Sequence, residues 1–365
     1  MILSGKSVLA KSIFFHLENI LDKLMTYKTR VEPQEALVIY NPAAGTMVDI
    51  NLYMGAVVHN LCSRGGYQVT VRQTDPDLTH ADVTAIIRER NYALVAAAGG
   101  DGTIRLVLGA VSEAAPEVPV ALIPLGTGNQ LARNLDVFSD SLVTDPLDEA
   151  IHTMLSGVPR RIDLGVMNGH YFCVAAGCGP LSDAVIGPSH EEKQNLKMLA
   201  YVGSIVTNLA APPVNIRVQT ESNDFMVSAS GIFVTNVADL GVGRLSDSAE
   251  LNDGLLDLCI MTPTQIGDYM QLGFRFTGGG LFGGEAPYYI RKVKKVSLTV
   301  VPVESQMSDF QAMAHKVRTT LRGESGDAPV YSEVVAMVDG DACGTTPMVI
   351  ETRGNAVAVL TPPVS

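Results

Sequence analysis

Ala93-Leu94-Val95-Ala96-Ala97-Ala98-Gly99-Gly100-Asp101-Gly102-Thr103-Ile104 is the stretch on which the fold turns. Ala93–Ala98 is an apolar run short enough for a buried strand. It empties into a glycine-rich loop, Gly99–Thr103, and helical periodicity follows over Ile104–Ala114. Downstream the unit repeats: a strand at Val120–Pro124, the loop Leu125-Gly126-Thr127-Gly128-Asn129, and a helix through Leu135. Upstream, Leu37–Tyr40 is a β-rich run ending in Asn41-Pro42-Ala43-Ala44-Gly45, and Tyr67–Thr74 alternates like a strand. Thr79 then caps a helix, with Asp82 three residues on, that runs to about Arg90. Strands alternating with helices predict a mostly parallel α/β sheet with its functional loops at the strand C-termini.

Each glycine-rich loop places backbone N–H groups and a Thr hydroxyl at a helix N-terminus. Such a site suits phosphate, because unpaired amides and the helix dipole both favour an anion. Neither loop is a standard nucleotide fingerprint. Gly5-Lys6-Ser7 lacks the upstream glycine of a P-loop, and Gly100-x-Gly102 is followed by Arg105 where GxGxxG needs glycine. A lone GGDGT is also an ordinary tight turn; a second such loop at the matching strand end argues for a site.

Beyond about residue 158 the style changes. Ile162–Met167 and Tyr171–Ala175 flank Asn168-Gly169, a strong hairpin signal. Short apolar runs follow at 214–219, 225–237, 255–261, 292–301, 334–338, 347–351 and 356–360, interrupted by a helix at about Glu191–Leu209. They predict an antiparallel sheet or sandwich. The expected division is an amphipathic extension at 1–35, an α/β domain at 36–157 and a β-sandwich at 158–345. A polar insertion at 303–333, its Gln311–Arg322 stretch expected to be mobile, interrupts the sandwich, and a segment at 346–365 returns to the first domain.

The chain of 365 residues carries 26 Lys+Arg against 38 Asp+Glu, a formal charge of -12, which argues against sequence-independent nucleic-acid binding. At 47% hydrophobic and 18% charged it buries a substantial core. No apolar run reaches the roughly 18 residues of a membrane span. Five cysteines without a CxxC pair fit reduced thiols in a cytosol. Residues 1–30 hold five basic against two acidic residues, a net of +3 that leaves −15 elsewhere. Val8, Leu9, Ile13, Leu17, Ile20, Leu21 and Leu24 recur there at helical spacing. This is a basic amphipathic helix, open to two readings: packing on the protein's own surface or contact with a membrane interface.

Asn41-Pro42-Ala43-Ala44-Gly45, Gly99–Thr103 and Pro124–Asn129, followed by Leu131-Ala132-Arg133-Asn134-Leu135, resemble in order and spacing the motifs of the diacylglycerol kinase catalytic domain. The soluble bacterial lipid kinases match best, with sphingosine and ceramide kinases related and NAD kinases and phosphofructokinases more distant. Asn236, Asn252-Asp253-Gly254-Leu255-Leu256-Asp257 and Asp339-Gly340-Asp341 continue the likeness, which spans about 36–302 and 334–362. It implies a Rossmann-like α/β nucleotide domain of the NAD kinase and diacylglycerol kinase type, a C-terminal β-sandwich, and an active site between them. ATP is then held by Asn41, Thr74, Gly99, Gly100, Asp101, Gly102, Thr103, Arg105, Gly126, Thr127 and Asn129. A structural Mg²⁺ sits on the Asp253 carboxylate with the Glu250 and Leu255 carbonyls, hard oxygen donors of the kind magnesium prefers. Asp339 and Asp341 supply the base that takes the proton of the lipid hydroxyl, with Asp101 beside the phosphates. Two residues apart, the pair points the same way in an extended strand, although a turn at Gly340 separates them.

Three positions depart from the family pattern. Leu106 replaces the Glu of GGDGTxxE, Gln130 the Asp of GTxND, and Asp341 the Glu of DGE. Each removes or shortens a carboxylate near the expected metal. Other chemistries find little support: no HExxH or GxSxG occurs, and the seven histidines lack metal-ligand spacing. Tyr288, Tyr289, Arg291, Lys292, Lys294 and Lys295 form an aromatic-basic run, open to anionic headgroups or to plain solvent. The expectation is therefore a cytoplasmic, peripherally membrane-associated, ATP- and Mg²⁺-dependent lipid kinase with a lipid substrate, no nucleic-acid partner and room for a homodimer. The rivals are NAD kinase-like phosphorylation of a soluble hydroxyl and a weakened lipid- or nucleotide-binding regulator.

Overall fold

The computed structural model describes residues 33–45, 50–138, 146–182, 211–240, 244–265, 267–268, 271, 288–322, 327 and 329–363. The expected helices at 1–30 and 191–209 lie outside these residues.

Five helices and four strands build the first unit in the order β1 (Glu35–Tyr40), α1 (Ile50–Ser63), β2 (Gln68–Gln73), α2 (His80–Arg88), β3 (Tyr92–Gly99), α3 (Asp101–Ala114), β4 (Val120–Pro124), α4 (Gln130–Asn134) and α5 (Pro146–Ser156). The strands pair in parallel in the order β2-β1-β3-β4. Alternation along β1 assigns each face its helices. Leu37 and Ile39 pack with Val83 and Ile87 of α2 and Ile104, Val107 and Leu108 of α3. Ala36 and Val38 pack with Met54, Val57 and Leu61 of α1 and Ile151 and Met154 of α5. A sheet buried on both faces gives near-continuous apolar strands such as Ala93–Ala98. Thr79 closes a capping box on α2: its hydroxyl accepts the Asp82 amide, and the Asp82 carboxylate accepts the Thr79 amide. From β1 the chain moves outward to β2, then returns past β1 to β3. The loops after β1 and β3 therefore flank a topological switch point, where open α/β sheets bind ligands.

The second unit begins with the hairpin of β5 (Val158–Met167) and β6 (His170–Phe172). Asn168 and Gly169 both take positive φ, 48° and 88°, as a two-residue turn of this hand requires. Then come β7 (Ala175–Cys178), β8 (Val214–Thr220), β9 (Asp224–Ala229), β10 (Gly231–Thr235), β11 (Leu256–Met261), β12 (Tyr289–Val293), β13 (Lys295–Val300), α6 (Asp309–Arg322), β14 (Val335–Val338), β15 (Asp341–Thr345) and β16 (Met348–Thr361). One sheet runs β12-β11-β10-β7-β14-β15. It packs on β9-β8-β13-β16 through Phe172, Ile216, Val218, Val234, Leu258, Leu298 and Ile350, a sandwich core.

The runs at 347–351 and 356–360 are one strand, β16. It pairs antiparallel with β13 and with most of β5, and parallel with β4 at Val359 and Val120. The ten-stranded sheet so formed runs through both units. The apolar stretch 225–237 is two strands, and 292–301 is shared between two sheets. The polar stretch expected to be mobile is helix α6. It buries Gln311, His315 and Thr319, four residues apart, and leaves Met313 and Val317 exposed. Polar groups take the inner face because Gln311 donates to the Pro263 carbonyl (2.8 Å), the His315 ring reaches the Asp327 carbonyl (3.1 Å) and Thr319 bonds within the helix. Among the described residues no helix is long and apolar enough to cross a membrane.

Candidate active site

The loops after β1, β3 and β4 meet at the carboxyl edge of the parallel sheet. Asn41 donates its amide to the Ala98 carbonyl (2.9 Å), Thr74 to Tyr40 (2.8 Å), and Leu125 to Gly99 (2.9 Å), so each loop is tied to a neighbouring strand or loop. Gly126 is required by close approach: a Cβ there would lie 2.5 Å from the Gly100 Cα. Asn129, in the left-handed region at φ 51°, closes its loop on itself. Its Oδ1 accepts the Gly126 amide (2.9 Å) and its Nδ2 donates to the Gly126 carbonyl (2.8 Å). Asp101, first residue of α3, accepts the Gln130 amide (2.8 Å) and so clamps one glycine loop to the other. Burial pushes its carboxyl up, against the lowering effect of the Gln130, Asn129 and Leu131 amides. Beside it, the Gln130 Oε1 is buried with no hydrogen-bond partner among the described residues.

The second half of the site arrives on the β14–β15 turn. Asp339 has φ 48° and Gly340 φ 86°, and this turn sends the two aspartates in different directions. Asp339 is partly exposed as a residue, yet its carboxylate faces inward. It accepts the amides of Cys173 (2.9 Å), Val174 (2.8 Å) and Ala175 (3.0 Å). Burial raises its pKa to about 6, against the Arg105 charge and the three amides. Asp339 thus pins the turn to the β6–β7 connection, and the turn at Gly340, not an extended strand, decides where the two carboxylates face. The elevated pKa comes from burial, not from repulsion by Asp341.

Asp341 is the open carboxylate, its side chain 64% exposed. Arg105, from the second turn of α3, spans the cleft between the units. It donates to the Val338 carbonyl (2.9 Å) and to Asp341 Oδ2 (3.1 Å). An exposed ion pair contributes no more than about 1 kcal/mol. The bond's effect is on direction: Asp341 Oδ2 is 3.9 Å from where a Cβ of Gly102 would stand, so the carboxylate faces the phosphate-type loop. A cleft of about 360 Å³ opens here, lined among others by Gly102, Arg105, Leu106, Asp341, Cys343, His80 and Tyr171. Leu106 is a cleft wall where the family pattern has a carboxylate.

In the cleft wall, His80 stacks on Tyr171 (centroids 5.2 Å apart), and the Tyr171 hydroxyl donates to Glu113 (3.0 Å). Burial raises the Glu113 carboxyl, but the Tyr171 and His80 contacts with the Arg353 charge outweigh it and hold it below the usual range. This trio went unnoticed in the sequence because its members come from α2, α3 and β6. Buried Cys173 has its thiol pushed up by burial, as an inert core thiol does.

The structure brings Asn41, Thr74, Gly99–Thr103, Arg105, Gly126–Asn129 and Asp341 into one cleft region and places Glu250, Asp253 and Leu255 elsewhere. On that second turn, Asp253 Oδ1 accepts the Leu255 amide (2.9 Å), and Oδ2 pairs with the Lys292 ammonium. Buried Asp163 holds the same turn. It accepts the Gly254 and Asn355 amides (both 2.6 Å), and its own amide donates to the Leu251 carbonyl (2.6 Å). Asn236 donates to the Asp163 carbonyl (2.8 Å), which links the turn to the sandwich. A magnesium ion on Asp253 does not fit this arrangement, since an ammonium already neutralises the oxygen it would bind. The described residues contain no group of three His, Cys, Asp or Glu side chains able to hold a metal. Of the aromatic-basic run, Lys292 turns inward, Lys295 pairs with Glu351 (3.5 Å), and Arg291 donates to Ser222 (2.9 Å).

Residues 35–167 match the diacylglycerol kinase catalytic domain. A diacylglycerol kinase of Bacillus subtilis (strain 168) is 29% identical over 243 residues, covering 66% of this chain and 77% of that protein. One from Staphylococcus epidermidis is 27% identical over 254 residues, covering 66% and 76%. The crystal structure of a diacylglycerol kinase from Bacillus anthracis str. Sterne superposes with a TM-score of 0.66 at 19% identity, covering 92% of this chain and 99% of that one. That likeness is one of fold: an α/β unit joined to a β-sandwich.

Proposed function

We propose, from the match of residues 35–167 to the diacylglycerol kinase catalytic domain, that the protein is a lipid kinase moving the γ-phosphate of ATP to a hydroxyl of diacylglycerol or a related lipid. The observation that carries the reading is Asp341, an exposed carboxylate on the sandwich unit held by Arg105 so that it faces Gly102 of the α/β unit. A base opposite a phosphate loop is the arrangement that alcohol phosphorylation needs.

The glycine loops cradle the nucleotide phosphates through backbone amides, with Asn41, Thr74 and Thr127 at the rim. The acceptor enters the cleft beside Asp341. As its hydroxyl oxygen bonds to the γ-phosphorus, the bond from phosphorus to the bridging oxygen of ADP breaks, and Asp341 takes the hydroxyl proton. Magnesium, when bound, neutralises phosphate charge. The orphaned Gln130 Oε1 and the Asp101 carboxylate are hard oxygen donors suited to hold it, since magnesium takes one or two protein ligands and completes its shell with phosphate and water. Asp339 serves as an anchor of the turn and not as the base.

The names of the relatives favour a lipid acceptor over a soluble one. A lipid acceptor places the enzyme at a membrane surface, and the +3 segment at 1–30 is the part of the sequence suited to anionic headgroups. Incubation of the pure protein with Mg-ATP and a panel of diacylglycerols, ceramides and sphingoid bases, with NAD as the soluble control, tests this. A phospholipid product supports the proposal. ATP binding with no lipid product would instead favour the regulator reading suggested by Leu106 and Gln130.

A further inference from the structure

The Asp253 turn sits in the sandwich unit and takes no part in the transfer described above. Its lysine is placed by the sheet: β11 and β12 pair antiparallel with Asp257 directly opposite Lys292, so register fixes the stem beside this turn. From there the ammonium bonds to Asp253 Oδ2. Asp257 is itself buried and accepts the Ser248 hydroxyl (2.9 Å). The turn's shape has supports of its own, since the Leu255, Gly254 and Leu251 backbone groups are engaged by Asp253 and Asp163. A bound divalent ion commonly supplies both charge neutralisation and shape; here a side chain supplies the first and hydrogen bonds the second.

We infer that the Lys292 ammonium stands where family likeness places a structural magnesium, so that the 250–257 turn folds without a bound divalent ion. The consequence is that any magnesium requirement of this enzyme lies with the nucleotide alone.

Thermal unfolding of the nucleotide-free, chelator-treated full chain tests this without reference to phosphoryl transfer. With millimolar Mg²⁺ or Ca²⁺ added, the wild-type midpoint is expected to move by less than about 1 °C. Lys292→Met leaves the buried Asp257 and the half-buried Asp253 uncompensated and is expected to lower the midpoint by up to about 5 °C, the scale of a fully buried pair in a chain of this length. Recovery of part of that loss on adding Mg²⁺ supports the substitution of ion by side chain. Lys292→Arg keeps the charge, covers the case in which the Met variant does not fold, and is expected to match the wild type with and without divalent ions. A rise in the wild-type midpoint with Mg²⁺ that Asp253→Asn abolishes would overturn the inference, as would a Lys292→Met protein with an unchanged midpoint.

Discussion

Replacing Asp339 by Asn and, separately, Asp341 by Asn tests how two aspartates in one turn divide their tasks. Inside the fold the Asp339 carboxyl ionises at about 6 instead of 3.8, with burial the largest cause. Between those two pH values the folded chain therefore binds more protons than the unfolded chain, and stability falls as pH rises. Its stabilising contribution is complete below 3.8 and lost on passing through about 6. The difference in pKa corresponds to about 3 kcal/mol. At about 2.1 cal/mol/K of unfolding entropy per residue, that is about 4 °C in the midpoint of a chain this long. Asn cannot ionise, so the gap between wild-type and Asp339→Asn midpoints should shift by about 4 °C from pH 4 to pH 7, with the wild type gaining toward acid. Differential scanning calorimetry across that range reads the gap directly. Parallel curves for the two proteins would refute the burial argument. In kinetics the roles reverse: Asp341→Asn should lose on the order of 10²- to 10⁴-fold in kcat with an unchanged midpoint, as the loss of a general base does. A folded Asp339→Asn enzyme as inactive as Asp341→Asn would show that the two act together.

Arg105→Met removes both bonds from α3 to the β14–β15 turn. With Asp341 exposed but the Arg105 side chain only 21% exposed, it is expected to cost about 1 to 2 kcal/mol of stability while lowering kcat about tenfold or more through lost positioning; a wild-type kcat would deny Arg105 that role. Gly126→Ala sets a Cβ 2.5 Å from the Gly100 Cα and should abolish ATP binding in equilibrium titration, because both loops must part to admit it. Retained affinity would mean the loops do not act as one cradle. Deleting residues 1–30 is expected to weaken sedimentation with anionic vesicles and leave ATP binding intact; undiminished vesicle binding would return the segment to a structural role.

The α/β unit was legible because its signals are local. The six apolar residues before Gly99 and the Thr79 and Asp82 pair each specify their own geometry within a few positions, as Asn168-Gly169 does for the hairpin that opens the second unit. What eluded reading depends on residues far apart in the chain. Nothing near 347–360 announces that two apolar runs form one strand, since pairing partners on β4, β5 and β13 decide it. Helix α6 hid because its inner face is polar, an inversion of the periodicity by which helices are recognised. At the site, Gly126 and Asn129 could be named from loop chemistry. The separation of Asp339 from Asp341 hinges on a positive φ at a non-glycine residue, and the partner of Asp253 on a cross-strand register.

Strand β16 also sets the order in which the molecule can be completed during synthesis. A ribosome that has released residues 1–345 holds an α/β unit whose β4 edge lacks its neighbour, since Val120 pairs with Val359. β5 lacks a partner along most of its length for the same reason. Unpaired edges are templates for pairing with other chains. The nascent protein is thus most exposed to aggregation until β16 has been made, and loss of Met348–Thr361 would leave edges of both units unpaired at once.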